Sequence, residues 1–106
     1  MATGRLAAED LSAATLTTVY TCPTDTYAVA TVTICNRGVD STTISLAIAD
    51  ADTPTLAEYI EFETALLAKN VLERTGLVLA ADQRLVVLSA EANVSAVVVG
   101  IETPTA

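Results

Sequence analysis

Histidine is absent from this chain of 106 residues, and its absence limits the chemistry that the other side chains could perform. Histidine is the usual general base near neutral pH, the group that activates serine and cysteine nucleophiles, and the commonest metal ligand. Cys22 and Cys35 therefore lack a base, and without histidine they need carboxylate partners to complete a zinc site. The sequence predicts a protein that is not an enzyme and that uses no cofactor or metal.

Acidic residues are the remaining candidates for chemistry, and two groups have suggestive spacing. Asp50 and Asp52 could offer oxygens to Ca²⁺, but the spacing of an EF-hand does not follow them. Glu58, Glu61 and Glu63 could supply the paired carboxylates of a glycosidase, but a chain without Trp offers no cleft for stacking a sugar. We interpret the aspartates as turn residues and the glutamates as the solvated face of a strand.

The two cysteines flank a turn predicted at residues 23–26. If this turn closes a simple hairpin, Cys22 pairs near Tyr27, and Cys35 lies too far along the ladder for a good intrachain bridge. Two free thiols are the leading interpretation, because a buried cysteine often serves as a small apolar residue. A disulfide between subunits through Cys22 and Cys35 is the first alternative, and an intrachain bridge is the second.

Thirteen acidic and five basic residues give the chain a net charge of −8. This charge repels the phosphate backbone, and the basic residues form no cluster, so we predict no direct binding of nucleic acid. An acidic surface favours solubility or complementarity to a basic surface. Glu9 and Asp10 interrupt any signal-peptide segment, and no apolar run is long enough to span a bilayer, so we expect no membrane association.

The composition indicates an all-β protein that positions these residues on strands. Thr, Val and Ile account for 34 of the 106 residues, and their branched side chains suit a pleated sheet. Short alternating segments recur about every ten residues, which is typical of sandwiches and barrels. We predict one domain over residues 1–106, an antiparallel β-sandwich of jelly-roll-like type with seven to eight strands.

Alternation of apolar and polar residues places the strands along the chain. The predicted strands are residues 16–21, 27–37, 43–48, 58–63, 70–75, 84–89 and 94–101, the last two joined as a hairpin. Within an N-terminal arm (residues 1–15), residues 4–14 fit either a short helix or an edge strand. Residues 56–69 also fit a helix, Gly76 is expected to mark a bulge or bend, and residues 102–106 are expected to form a loose tail.

Two segments, residues 77–79 and 97–99, are apolar on both faces of their strands. A two-layer sandwich buries only one face, so the other face requires another chain, unless these strands are simply central or bent. We predict that a neighbouring subunit covers it, with arginines fixing the register of the contact. The residues expected at the subunit interface are Leu77, Leu79, Val97, Val99, Arg37, Arg74 and Arg84.

Five segments carry a further pattern: VYTCP (19–23), VTICNRG (32–38), EYIEF (58–62), VLERTGLVL (71–79) and ADQRLVV (81–87). Over residues 16–101 these segments resemble small virion structural proteins of tailed bacteriophages. The resemblance implies a β-sandwich or jelly-roll module that decorates or stabilises the particle as a homotrimer, as capsid decoration or cement or as a neck, collar or tail accessory. Family members often carry an apolar residue where Cys22 stands, which implies a role for Cys22 in this particle.

The implied partners are further copies of the chain and the major capsid, neck or tail proteins, and the implied location is the virion, assembled in the host cytoplasm. The alternative function is a receptor- or carbohydrate-binding tip module of a tail fibre or spike. In that case Tyr20, Tyr27 and Tyr59 would be the stacking residues. The aromatic residues lie mostly within predicted strands, which argues against such a platform.

Overall fold

Eight β-strands and one 3₁₀ turn make up the regular structure of the chain in the computed structural model, which describes residues 3–105. The strands lie in two four-stranded antiparallel sheets, which confirms the predicted all-β sandwich. The strands are β1 (Thr3–Leu11), β2 (Thr17–Thr21), β3 (Thr26–Asn36), β4 (Thr42–Ala49), β5 (Tyr59–Leu66), β6 (Val71–Leu79), β7 (Arg84–Ser89) and β8 (Val94–Pro104), and the 3₁₀ turn is Leu56–Glu58.

The order of the strands is that of a jelly roll. Sheet A has the order β1-β8-β3-β6 and sheet B the order β2-β7-β4-β5, so that β1 pairs with β8, β2 with β7, β3 with β6 and β4 with β5. This nested pairing is that of one long hairpin wrapped into two layers. Only β4 and β5 are neighbours both in sequence and in a sheet. The hairpin predicted between β7 and β8 is therefore wrong, because this connection crosses between sheets. The turn at residues 23–26 also crosses between sheets, so it does not close a simple hairpin of β2 and β3.

Three local predictions are decided by strand pairing. Residues 3–11 form the edge strand β1, one of the two conformations expected for the N-terminal arm. The region 56–69 is a strand, β5, preceded by a single 3₁₀ turn. The expected loose tail is instead ordered as far as Pro104, because β8 continues and pairs with the start of β3. Residues 1, 2 and 106, at the ends of the predicted domain, lie outside the described residues.

The core between the sheets is built almost entirely from aliphatic side chains. Every second residue of β3, from Ala28 to Ile34, is buried there, and so are Leu46 of β4 and Val98 of β8. Tyr20 of β2 joins them, and its hydroxyl donates a hydrogen bond of 2.6 Å to Glu102 of the opposite sheet. Burial, reinforced by this carboxylate, raises the pKa of Tyr20 well above its usual value.

β-Bulges in β6 and β5 change the faces that side chains occupy. In β6, Thr75 and Gly76 together lie opposite Thr31, and Gly76 has a φ of 68°, which confirms the expected bulge. In β5, the register also shifts, at Phe62 and Glu63. The extra residue there interrupts the alternation along the strand, and the side chain of Phe62 is 57% exposed.

One end of the outer face of sheet B is covered by residues 50–58, which we name the strap. Alternation points Ala47, Ala49 and Val86 away from the core, yet all three are buried. The strap reaches β2 and β7, where Asp52 accepts hydrogen bonds from the Thr18 hydroxyl (2.7 Å) and the Arg84 guanidinium (3.1 Å). The chain therefore covers part of sheet B by itself.

Candidate interaction surface

The outer face of sheet A, in contrast, is open along its two central strands, β3 and β8. Along both strands, alternate residues point away from the core, and none of these ten residues carries a charge. They are Tyr27, Val29, Thr31, Thr33, Cys35, Ser95, Val97, Val99, Ile101 and Thr103. In a chain with a net charge of −8, this uncharged strip is distinctive.

An apolar row crosses the open face from β6 to β8. Val29 of β3 pairs with Val78 of β6 on one side and with Ile101 of β8 on the other. Val99 is the neighbouring outward residue of β8, two positions before Ile101. The exposed fractions are 42% for Val29, 60% for Val78, 53% for Ile101 and 41% for Val99. Their exposed surface together equals that of about two fully exposed side chains. Covering them with another surface would contribute about 3–6 kcal/mol. We name these four residues the apolar row.

The valines predicted at the subunit interface lie on this face, but the leucines do not. Val99 belongs to the apolar row, and Val97 lies next to it, half-buried. Leu77 and Leu79 are 6% and 0% exposed and belong to the core of the protomer, so they are not available to another chain. Val78, between them, points outward from β6 instead and is 60% exposed.

Arg74, expected at the interface, is paired within the protomer. Its guanidinium forms an ion pair with Glu61, which links β6 of sheet A to β5 of sheet B at one side of the sandwich. Hydrogen bonds to Glu61, first from the Thr64 hydroxyl (2.7 Å) and then from Arg74, lower the pKa of this carboxyl. Arg74 therefore joins the two sheets.

Arg37 and Arg84, the other two arginines predicted at the interface, also have partners in their own chain. Arg37 forms an exposed ion pair with Asp10 of β1. Arg84 binds Asp52 and holds the strap, and the hydrogen bond from Thr18, together with Arg84, lowers the pKa of Asp52. Both arginines are therefore already paired with a carboxylate of their own chain.

The two cysteines occupy different environments and are both free thiols. Cys22 is fully buried, and its thiol contacts the carbonyl oxygens of Thr26 (3.4 Å) and Leu79 (3.7 Å). Burial raises the pKa of Cys22, which disfavours the reactive thiolate. A disulfide from Cys22 to a neighbouring subunit is therefore ruled out in this fold. Cys35 is half-buried on the outer face of sheet A and is the cysteine that another subunit could reach.

The acidic residues considered for catalysis or Ca²⁺ binding have separate structural roles. Asp50 accepts a hydrogen bond from Gln83 (3.4 Å), and the Glu58 carboxylate accepts from the backbone amides of Thr55 (2.8 Å) and Asp50 (3.1 Å). These amides lower the pKa of Glu58. Within residues 3–105, no three side chains of the metal-binding types come together.

A groove of about 390 Å³ crosses the uncovered end of the outer face of sheet B. Ser45 and Leu88, paired across β4 and β7, lie beneath it, and β5 contributes one wall. The residues that line the groove are Ala14, Thr43, Ser45, Tyr59, Phe62, Glu63, Leu88 and Ala90. Sequence reasoning missed this site because the bulge in β5 is what turns Phe62 outward.

The three tyrosines proposed for stacking do not share a surface. Tyr20 is in the core, Tyr27 is on the outer face of sheet A, and Tyr59 is in the groove on sheet B. A binding platform made from all three is therefore incompatible with the fold.

No protein-family model, curated protein or solved structure matches this chain. Residues 3–105 contain no helix that is long and apolar enough to cross a membrane.

Proposed function

We propose that this chain is a structural subunit of a tailed-phage virion that assembles as a homotrimer and decorates or stabilises the particle. The observation that carries the proposal is the uncharged, half-exposed outer face of β3 and β8 with its apolar row. The resemblance of the five segments supports the phage assignment. The jelly-roll order is compatible with it but is also found in lectins and cupins, so the fold alone does not assign the function.

Charge favours a second copy of the chain as the occupant of this face. Two protomers of net charge −8 repel each other, and the repulsion is least where the contact itself is free of acids. Charged residues are depleted at the centres of protein interfaces, as they are on this strip. On sheet B the strap already covers part of the outer face, which leaves sheet A as the broader open surface.

The symmetry of the assembly determines which surfaces contact each other. A face that packs only against its own copy closes as a two-fold dimer. A trimer instead requires the apolar row of each protomer to contact a different region of the next one around a three-fold axis. The subunit would act mechanically, by burying apolar area across these joints and so resisting pressure or shear on the particle.

Light scattering coupled to gel filtration tests the assembly. We expect the mass of a trimer at micromolar concentration, and a monomer for Val29→Lys, which places an ammonium group in the apolar row. The added Lys makes the net charge of each protomer less negative, so loss of assembly could not be attributed to stronger repulsion between protomers. Val39→Lys, the same change at an exposed residue in the β3–β4 turn, is the matched control and should remain trimeric.

Two outcomes would count against the assembly. A wild-type monomer at micromolar concentration removes the physical basis of the proposal, and a trimer of Val29→Lys shows that another surface makes the contact. A wild-type dimer that Val29→Lys dissociates would keep the face but replace the three-fold arrangement. The virion assignment has its own test, a cryo-EM map of the assembled particle, in which the chain should occupy a three-fold position on the head, neck or tail.

A further inference from the structure

The groove on sheet B has an aromatic corner. The rings of Tyr59 and Phe62 have centroids 5.1 Å apart and planes inclined at 77°. The face of an aromatic ring is electronegative, and an edge-to-face pair occupies only one face of one of its two rings. Cations bind over ring faces within about 6 Å of the centroid. The corner therefore favours a positive group over a neutral one.

The charge of the groove points the same way. Among the described residues that line the groove, Glu63 is the one charged residue, and none is Lys or Arg. The chain as a whole carries a net charge of −8, which raises the local concentration of cations around it. A carboxylate beside aromatic rings would pair with a guanidinium while the rings contact its plane.

The backbone holds this arrangement in an unfavourable conformation. Glu63 has a φ of 50°, which is uncommon for a residue other than glycine, and its amide donates to the Ser45 hydroxyl (3.0 Å), itself buried beneath the groove. The same bulge leaves the large apolar ring of Phe62 mostly exposed. The groove volume of about 390 Å³ lies in the range of ligand pockets.

We propose that the groove binds an arginine side chain of a partner protein. The guanidinium lies against the rings of Tyr59 and Phe62 and pairs with Glu63, and the aliphatic stem of the arginine lies along Leu88. The inference deepens the proposed function, on which it rests for the nature of the partner, a larger protein of the particle. Sheet A then contacts further copies of the chain, and sheet B attaches it to a basic surface.

NMR titration with the peptide acetyl-Gly-Arg-Gly-amide tests the groove directly. The matched probe is the citrulline peptide, which has the same shape but no charge. We expect the arginine peptide to shift the amide signals of Thr43, Phe62 and Glu63, to bind more tightly than the citrulline peptide, and to weaken as salt is added. Equal binding of the two peptides, or no shift at these residues, would overturn the proposal, and preferential binding of a neutral sugar would do so too.

Two variants separate the contributions of the rings and the carboxylate. Phe62→Leu keeps the apolar bulk and should weaken binding by about 2- to 30-fold, the range expected for one lost cation–π contact. Glu63→Gln keeps the shape and should weaken binding and reduce its dependence on salt. Tyr27→Leu, which removes an aromatic ring from sheet A, is the control and should bind as the wild type does. Wild-type affinity in both Phe62→Leu and Glu63→Gln would rule out the site.

The groove and the apolar row can fail independently. If Val29→Lys is monomeric and still binds the arginine peptide, both proposals stand. If wild type is monomeric but binds the peptide, the self-assembly proposal fails and the groove remains. If wild type assembles through the apolar row but distinguishes neither peptide, the groove proposal fails alone.

Discussion

Asn36 lies at the end of β3, where it ties together two turns that are distant in sequence. The residue is 1% exposed, and its side-chain amide nitrogen lies 2.9 Å from the carbonyl oxygen of Asp40, 3.2 Å from that of Leu66 and 3.3 Å from that of Leu67. Its side-chain oxygen accepts a hydrogen bond from the amide of Gly38 (2.9 Å). The β3–β4 turn and the β5–β6 turn are therefore joined through one buried side chain.

Asn36→Asp changes this contact without changing its shape. The introduced carboxylate can still accept from Gly38, but it turns an acceptor oxygen toward the carbonyl groups that the amide nitrogen served. The amide nitrogen of Asn36 has two N–H groups to share among the three carbonyl groups, so the substitution removes two donors. Each buried carbonyl that is left without a donor costs about 1–3 kcal/mol. We therefore expect unfolding free energy to fall by about 2–6 kcal/mol at pH 7, a large share of the roughly 5–15 kcal/mol of a small domain.

The pH dependence of this loss has a defined sign. Burial among carbonyl oxygens raises the pKa of the introduced carboxyl in the folded state above its unfolded value of about 3.9. The folded variant therefore binds more protons, so the contribution of this carboxyl to stability is greatest below that value and falls as pH rises through the raised pKa. In the wild type, the lowered pKa values of Asp52 and Glu61 act oppositely, because their stabilisation is lost on acidification.

Urea unfolding followed by circular dichroism, at pH 7 and pH 4 and at one protomer concentration, measures both effects. The deficit of Asn36→Asp relative to wild type should be large at pH 7 and smaller at pH 4. Asn70→Asp, the same change at an exposed position, is the control and should stay within about 0.5 kcal/mol of wild type. The reasoning is refuted if Asn36→Asp is as stable as its control at pH 7, or if its deficit grows on acidification.

Three further results are expected. Gly100→Ala should destabilise the fold by about 1–3 kcal/mol or more in urea unfolding, because the added Cβ would lie 2.2 Å from the carbonyl oxygen of Val29, a backbone atom that cannot move aside cheaply; unchanged stability would contradict the tight contact between β3 and β8. A thiol reagent should label Cys35 in the native protein and Cys22 only after unfolding, as read by mass spectrometry, and rapid native labelling of Cys22 would contradict its burial. Glu61→Gln should lose less stability than wild type between pH 6 and pH 3, because the lowered pKa of Glu61 stabilises the folded state only while its carboxyl is ionised; an unchanged pH profile would show that this ion pair contributes nothing.

The arginines show how far sequence reasoning reached at the candidate surfaces. Arg37, Arg74 and Arg84 are scattered along the chain, and nothing local marks their acidic partners, which lie 13 to 32 residues away. Their ion pairs form only after the sandwich has brought β1 and β5 and the strap to them. The outward valines of β8, in contrast, are placed by simple alternation along one strand.

The sequence by itself determined the strands and the aliphatic core, because alternation and β-branched composition are properties of a single extended segment. It therefore located β2, β3, β4 and β7 to within a residue or two. Only the tertiary structure decided how the strands pair, since Thr3 lies opposite Ile101 and consecutive strands mostly belong to different sheets. It also decided that Val78 rather than Leu77 and Leu79 faces outward, and that a bulge opens the aromatic groove. These features depend on which sheet covers each face and where a register slips, and contacts between segments distant in sequence set both.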